Sequence, residues 1–369
     1  MMAVRNTKSH HFLVYRDKLL LPSEGFIKTH YQNFDKLQPV FVGSKFGWQI
    51  NQLDGPKIKT GGLIGSAWFK QTGRVDITQF ADFAPTSVHA HFGRGGALAL
   101  PIARSLQVPL FVTYHGGDAT KKTHQRKRLL PTVYQRRLLE LKEYARGFLC
   151  VSKFVAEKLK DQGFPAKKLF IHYIGIDCSR IEKPRLRDGN LLFVGRLTRK
   201  KGVDVLIRAI HELSAVGFNA PILDIVGSGP EESKLRNYAV GAKNIRFLGW
   251  QTPSELSEHL ARCSALIVPS READDGDCEG LPTVILEGIR AGAPILASHH
   301  AGIPEIIKDG ITGMLAPENS ATALAAMIKQ AMVASQKLPD LVKNAQSRIR
   351  KDFDASKQSK KLQDILIAR

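Results

Sequence analysis

Several things are scarce in this chain, and each shortage removes a class of protein. Only four cysteines occur in 369 residues: Cys150, Cys178, Cys263 and Cys278. None are spaced C-x-x-C, so neither a zinc motif nor a disulfide framework is encoded, and the thiols are expected to be reduced. No run approaches the roughly 20 apolar residues that a membrane-spanning helix needs. The opening segment, MMAVRNTKSHHFLVYRD, has no apolar core of signal-peptide length. No G-x-x-x-x-G-K-[ST] occurs, which excludes a Walker-type phosphate loop. Repeats and low-complexity segments are absent. Acidic residues are short in one half only: residues 1–185 hold 30 Lys/Arg against 13 Asp/Glu, residues 186–369 hold 24 against 21.

What is present is alternation. Apolar residues make up 43%, and the length suits two domains at roughly 100–200 residues each. Short strand-like runs precede helix-like stretches throughout: HFLVYR (11–16), PVFVG (39–43), SVHAHFG (87–93), PLFVTYHG (109–116) and GFLCVS (147–152), then LLFVGR (191–196), PILDIVGSG, IRFLGW, ALIVPS and APILAS. This predicts an α/β class with parallel sheets covered on both faces. The polar, aperiodic CSRIEKPRLRDGN (178–190) marks the boundary. The first domain is expected over 1–185, the second over 186–344, and a basic amphipathic helix over about 345–369. Ligands of such sheets bind beyond the C-terminal strand ends.

The loops at those ends carry the candidate chemistry. In FVGRLTRKKG a strand ends at Gly195, and Arg196, Lys200 and Lys201 precede Gly202 at a helix start. Fixed cations beside free backbone N–H groups suit an anion such as a diphosphate; an ordinary basic loop is the plainer reading. Gly227 and Gly229 in VGSGP permit close backbone approach, either to a ligand or within the protein. EGLPTVILEG holds Glu279 and Glu287. Eight residues of helix span about 12 Å, whereas hydrolytic carboxyl pairs stand about 5–9.5 Å apart. The pair therefore fits hydroxyl recognition, or simple capping, better than acid/base hydrolysis. Asp275-Gly276-Asp277 is a possible metal-diphosphate motif, but the neighbouring Lys and Arg already supply positive charge. His115, at the end of VTYHGGD, is well placed for function at a central strand terminus.

The basic first half admits a solvated surface or an anionic partner, nucleic acid or an acidic membrane face. KKTHQRKRLLPTVYQRRLLELKEYAR (121–146) places Leu129, Leu130, Val133, Leu138, Leu139 and Leu141 at near-helical spacing among Lys and Arg. An interfacial helix shows this pattern, although Pro131 limits its length. A basic nucleic-acid-binding protein is disfavoured, since no RRM, KH or zinc motif occurs and aromatics are few on the basic segments.

The motifs GRLTRKKG, VGSGP, FLGW, EGLPTVILEG and AGIPEIIKDGITGML, in this order, resemble the nucleotide-sugar-binding domain of glycosyltransferase family 4. PSEGFI, HAHFG, VTYHGGD and PSREADDGDCEGLP resemble bacterial members of exopolysaccharide and colanic-acid type. The resemblance covers nearly the whole chain except residues 44–75. It implies a GT-B fold, two doubly wound Rossmann-like domains facing across a cleft, with the C-terminal helix returning to the first. It further implies a retaining hexosyltransferase that needs no metal and no cofactor, using a nucleotide sugar, UDP-sugar in first place and GDP-mannose in second. The acceptor would be a lipid-linked oligosaccharide, with a small soluble acceptor as the alternative; an epimerase or glycogen-type synthase on the same fold is disfavoured by length and charge. Arg196 and Lys201 would hold the diphosphate. Glu279, Gly280, Leu281 and Pro282 would meet the donor sugar, Glu287 the ribose, and Gly195, Gly227 and Gly229 would line the nucleotide. His115 would stabilise charge at the reacting centre. Ser23, Glu24, Gly25 and Asp118 are expected at the acceptor, with Gly25 departing from the family's usual Thr. The expected location is cytoplasmic, peripheral on the inner face of the cell membrane.

Overall fold

The computed structural model describes residues 10–19, 25–61, 69, 72, 76–122, 131–184, 186–187, 189–219 and 221–368. The chain divides into two compact units, Met1–Gly175 with Ala355–Arg369, and Ile176–Asp354.

The first unit contains β1 (His10–Tyr15), a short β2 (Lys18–Leu19), β3 (Leu37–Gly43), a short β4 (Lys45–Phe46), β5 (Lys57–Lys59), β6 (Val88–His91), β7 (Leu110–Tyr114), β8 (Gly147–Cys150) and β9 (Leu169–Ile171). Seven form one sheet in the order β5-β3-β1-β6-β7-β8-β9, while β2 and β4 pair separately. All pairings are parallel. Sheets covered on both faces are built from continuous apolar runs, which is why Phe12–Tyr15, Val40–Val42 and Leu110–Tyr114 are all buried. The strand order reverses between β1 and β6, so the loops leaving those strands open the ligand-binding edge.

The terminal segment departs from expectation. In place of one helix from about 345, two helices occur, Leu338–Asp352 and Ala355–Ile367. They break at Phe353, which is fully buried and whose carbonyl accepts from the Ile176 N–H at 2.8 Å. Only the last helix belongs to the first unit. Its buried Gln363 accepts from the N–H groups of Asp35, Lys36 and Leu37 at 3.0, 2.8 and 3.2 Å, holding the entry to β3. The other boundary also lies earlier than the loss of periodicity suggested. Residues after Ile176 attach to the second unit: the Glu182 N–H donates to Arg290 O, and Arg187 Nη1 to Leu260 O.

The expected interfacial helix is described only in part. Within 121–146, residues 123–130 lie outside the described residues. A helix runs over Val133–Tyr144, started by a reciprocal capping box between Thr132 and Gln135. It packs on the helix Gly93–Leu106, where Arg137 Nη1 donates to Ala97 O and Tyr144 Oη to Ala103 O. Tyr134 and Leu141 are buried on that face, and Leu139 alone among its leucines is strongly exposed. Of the leucines in this helix, Leu141 packs within the unit, Leu138 is half-buried and Leu139 faces solvent.

The second unit contains β10 (Leu191–Val194), β11 (Leu223–Val226), β12 (Ile245–Gly249), β13 (Ala265–Val268), β14 (Ile295–His299) and β15 (Met314–Pro317). Their order is β12-β11-β10-β13-β14-β15, all parallel. The helix Val203–Ala215 buries Val203, Leu206, Ile207, Ile210 and Leu213 against this sheet, and Gly217, at φ +71°, ends it in a left-handed turn. The order reverses between β10 and β13, which places the GRLTRKKG and PSREADDGDCEGLP loops side by side.

Candidate active site

Backbone contacts lock the two switch-point loops together. Gly202 caps the helix Val203–Ala215 at φ +66°, and a Cβ there would stand 1.8 Å from Pro269 O. Only glycine satisfies both the left-handed backbone and this approach. Arg271 completes the clamp. Its N–H donates to Lys200 O, its Nη2 to both Asp204 carboxylate oxygens at 2.9 Å, and its Nη1 to Asn319. Sequence reasoning passed over Arg271; its place one residue beyond ALIVPS was the available signal.

On this frame the charged groups converge. Lys201 Nζ lies 3.0 Å from Glu279 Oε1, Lys200 Nζ lies 3.1 Å from Asp277 Oδ1, and Lys200 Nζ is 4.0 Å from Glu279. Glu279 is only 8% exposed. Burial acts to raise its pKa, but Lys201 and then Lys200 outweigh it and hold the carboxyl down to about 2. Arg196 is exposed at the turn after Gly195. Gly280, Leu281 and Pro282 are buried and lead into the helix Thr283–Arg290, with Pro282 at the N-cap. That helix presses on the sheet at Gly288, where a Cβ would stand 2.6 Å from Leu266. Glu287 sits in its fifth position, half-buried, and burial raises its carboxyl.

Two sets of candidate residues have partners within the second unit. A Cβ on Gly227 would stand 2.0 Å from Gly195 O, and one on Gly229 would stand 2.4 Å from Leu197 O. Both glycines make room for the neighbouring loop's own backbone. In the Asp-Gly-Asp segment, Asp275 accepts from the Asp277 N–H and Asp277 pairs with Lys200 of the neighbouring loop, so both carboxylates have partners.

In the first unit, His115 follows β7. Its ring lies 4.4 Å from that of Phe92, and the Arg16 guanidinium covers Phe92 at 4.0 Å. Burial, then Arg16, lowers the His115 pKa. Asp118 accepts from the N–H groups of His115, Gly116 and Gly93 at 2.9, 3.0 and 3.0 Å. It is a bracket joining the loops that leave β6 and β7. Gly25 is exposed at the start of the helix Phe26–Tyr31, while Ser23 and Glu24 lie outside the described residues. His89 and His91 were missed, though two histidines at i and i+2 on a buried strand were legible as a shared face.

Two doubly wound Rossmann-like domains with charged switch-point loops define the GT-B class, and comparison with known proteins agrees. Residues 62–180 match the model described as Glycosyltransferase Family 4 and residues 179–348 that described as Glycosyl transferases group 1. The chain is a glycosyltransferase belonging to these families. It is 29% identical over 296 residues to the amylovoran biosynthesis glycosyltransferase AmsK of Erwinia amylovora, covering 77% of this chain and 70% of that one. It is 29% identical over 290 residues to the putative colanic acid biosynthesis glycosyltransferase WcaL of Escherichia coli strain K12, covering 76% and 70%. Among solved structures, Anabaena Alr3699/HepE in complex with UDP and glucose superposes with a TM-score of 0.79 at 16% identity, covering 97% of this chain and 99% of that one. The lipopolysaccharide outer core galactosyltransferase WaaB superposes with a TM-score of 0.72 at 17% identity, covering 96% and 98%.

Proposed function

We propose that this enzyme transfers a hexose, with retention, from a nucleotide sugar to a lipid-linked saccharide during exopolysaccharide assembly. The observation that carries the reading is the ionised, buried Glu279 held by Lys201 at the switch point of the second sheet. A carboxylate kept charged in a buried loop accepts hydrogen bonds from sugar hydroxyls, and ammonium groups beside it suit a diphosphate. Lys201 and Arg196 would stabilise the charge that develops on the departing nucleoside diphosphate. Gly280 and Leu281 would offer backbone N–H groups to the donor sugar and Glu287 would meet the ribose. His115, on the first unit, would contribute a hydrogen bond to substrate. No carboxylate is placed as a nucleophile in this scheme, so front-side attack by the acceptor hydroxyl is the simplest route to retention. UDP-sugar is favoured over GDP-mannose because the HepE structure holds UDP and glucose. The place in exopolysaccharide assembly follows the amylovoran and colanic acid relatives.

The test is nucleotide release from a panel of UDP- and GDP-sugars, with and without a polyprenyl-diphosphate-linked saccharide, followed by determination of the product's anomeric configuration. Release stimulated by the lipid-linked acceptor with a retained anomeric centre supports the reading. Equal release with a small soluble sugar, or an inverted product, overturns it. Activity is expected to survive EDTA, because Lys200, Lys201 and Arg196 supply the charge a divalent ion would bring. Loss on chelation, restored by Mg²⁺ or Mn²⁺, would make Asp275 and Asp277 metal ligands instead.

A further inference from the structure

The first unit carries a groove away from the strand end that holds His115. The helix Ala355–Ile367 packs on the sheet, and its Leu362 and Leu366 enter the core with Phe111. Beside it a groove of about 560 Å³ remains open, within the roughly 300–1,000 Å³ of small-molecule sites. Its apolar walls are Phe111, Phe170, Ile365 and Ala368. Gly147 of β8 stands opposite Phe111 of β7, and a Cβ there would meet the Phe170 ring at 2.8 Å and the Phe111 ring at 3.2 Å. The missing side chain lets the two rings close over β8. Phe170, on the edge strand β9, is 37% exposed.

The rim of the groove is cationic. Arg146, Lys357, Lys360 and Lys361 line it, with Asp364 as the one carboxylate. The lysines reach the same groove as Ile365 and Ala368 because residues three and four apart are neighbours on a helix. Two of the cations are anchored. The Arg146 N–H donates to Leu110 O at 2.8 Å, which fixes its backbone beside the start of β7, and Lys361 Nζ donates to Ile171 O at 2.8 Å. An ammonium has three donors, so this bond orients Lys361 without exhausting it.

We propose that this groove docks an anionic membrane phospholipid, its phosphate held by Lys357, Lys360, Lys361 and Arg146 and an acyl chain laid against Phe111, Phe170, Ile365 and Ala368. Charge complementarity carries the choice. Four cations against one carboxylate call for an anion, and the apolar walls call for an anion that bears a hydrocarbon chain. A free phosphate would leave the walls wet, and a nucleic acid or an acidic peptide has no chain to fill them. Basic residues at an anionic surface and buried methylenes add to the same binding. Phe111 precedes His115 by four residues of extended chain, about 13 Å, so the lipid anchors the enzyme and takes no part at the reacting centre. The contact falls on the last helix of the first unit, where the leucines and basic residues of 121–146 had suggested another place.

The test is flotation of the full chain with vesicles of phosphatidylcholine, alone or mixed with phosphatidylglycerol. Wild type should float with the mixed vesicles only. Lys357→Gln combined with Lys360→Gln should weaken that binding on the order of 10- to 30-fold. Ala368→Trp puts an indole into the groove and leaves the charge untouched; it should weaken binding several-fold. Both variants should melt as wild type does and bind nucleotide unchanged. Wild-type flotation by either variant overturns the proposal. A second measurement needs no variant: phosphatidylglycerol with a photoreactive acyl chain, carried in the same vesicles, should label wild-type residues within 146–171 or 355–368. Label confined to other segments overturns the site. Glycerol 3-phosphate should not displace the protein from the vesicles; full displacement would reduce the groove to a free-phosphate site. An oligonucleotide bound with the same lysine dependence, in the absence of flotation, would make it a nucleic-acid surface instead.

Discussion

Glu279 shows how one residue's chemistry follows from its neighbours. A carboxyl this buried would ordinarily be driven towards its neutral form, yet Lys201 and Lys200 keep it ionised. Glu279→Gln should therefore abolish transfer, and should lower the melting temperature only modestly because Lys200 retains Asp277. Turnover within a few-fold of wild type, with a normal melt, would remove Glu279 from the donor site. Lys201→Ala should cost on the order of 10²–10³ in kcat, the scale of a lost charge-stabilising group; an effect confined to KM would mean that Lys201 only binds. Glu279 itself was legible in EGLPTVILEG. Its lysine partner was legible only as a nearby cation, because pairing across 78 residues depends on which strands lie side by side.

At the scale of elements, the C-terminal helix Ala355–Ile367 is tied to the entry of β3 through one amide oxygen. Gln363 Oε1 serves three backbone N–H groups at the entry to β3. Gln363→Leu keeps the volume but strands those donors, and each unsatisfied buried group costs about 1–3 kcal/mol. The variant should unfold at least about 2 kcal/mol more easily in guanidinium titration, with nucleotide binding by the second unit unchanged. An unshifted midpoint would show that water replaces the amide. Ten of the strands were readable to within a few residues, because continuous apolar runs ending in Gly or Ser admit few alternatives; β2, β4, β5, β9 and β15, two to four residues each, carry too short a run to be read. The helix break at Phe353 was not, since nothing in SRIRKDFDASK is a breaker; the break comes from the burial of Phe353 and its carbonyl's bond to Ile176.

Over the whole molecule two consequences concern charge. Burial lowers the pKa of His30, His89, His91, His115 and His172, with His89 taken to about 3 and His172 to about 4 from the ordinary histidine value of 6.5. The unfolded chain binds protons at these sites below about pH 6.5 while the folded one does not. Their stabilising effect is thus complete above pH 6.5 and is lost as pH falls from there towards 4 and 3. Each histidine contributes up to about 1.4 kcal/mol per pH unit in that window. Denaturant midpoints at pH 7.5, 6 and 5 should fall steeply; constant midpoints would mean that the fold accepts the protons. Glu279 adds a lower window, stabilising above about pH 4.5 and lost as pH falls through about 2. The second consequence is docking. The positive excess of residues 1–185 should bring the enzyme to anionic liposomes in flotation assays, weakening as salt screens it. Equal recovery on neutral and anionic lipid would rule this out. Among the described residues no helix is long and apolar enough to cross a membrane.

By itself the sequence determined the α/β class, the two-domain plan, ten of the strands and the loops that hold Arg196, Lys201, Glu279 and His115. These follow from local periodicity, from turn chemistry and from motifs a few residues long. Only the tertiary structure decided which of those residues meet. It packed Gly227 and Gly229 against the neighbouring loop's backbone, made Asp118 a bracket between strand exits, and buried Leu141 of Val133–Tyr144 within the first unit. It also brought Tyr31, His89, His91, Thr113 and His115 into one line. The physical reason is the same in each case. A hydrogen bond or ion pair between residues tens of positions apart depends on strand order and register, and neither is written in any single stretch of the chain.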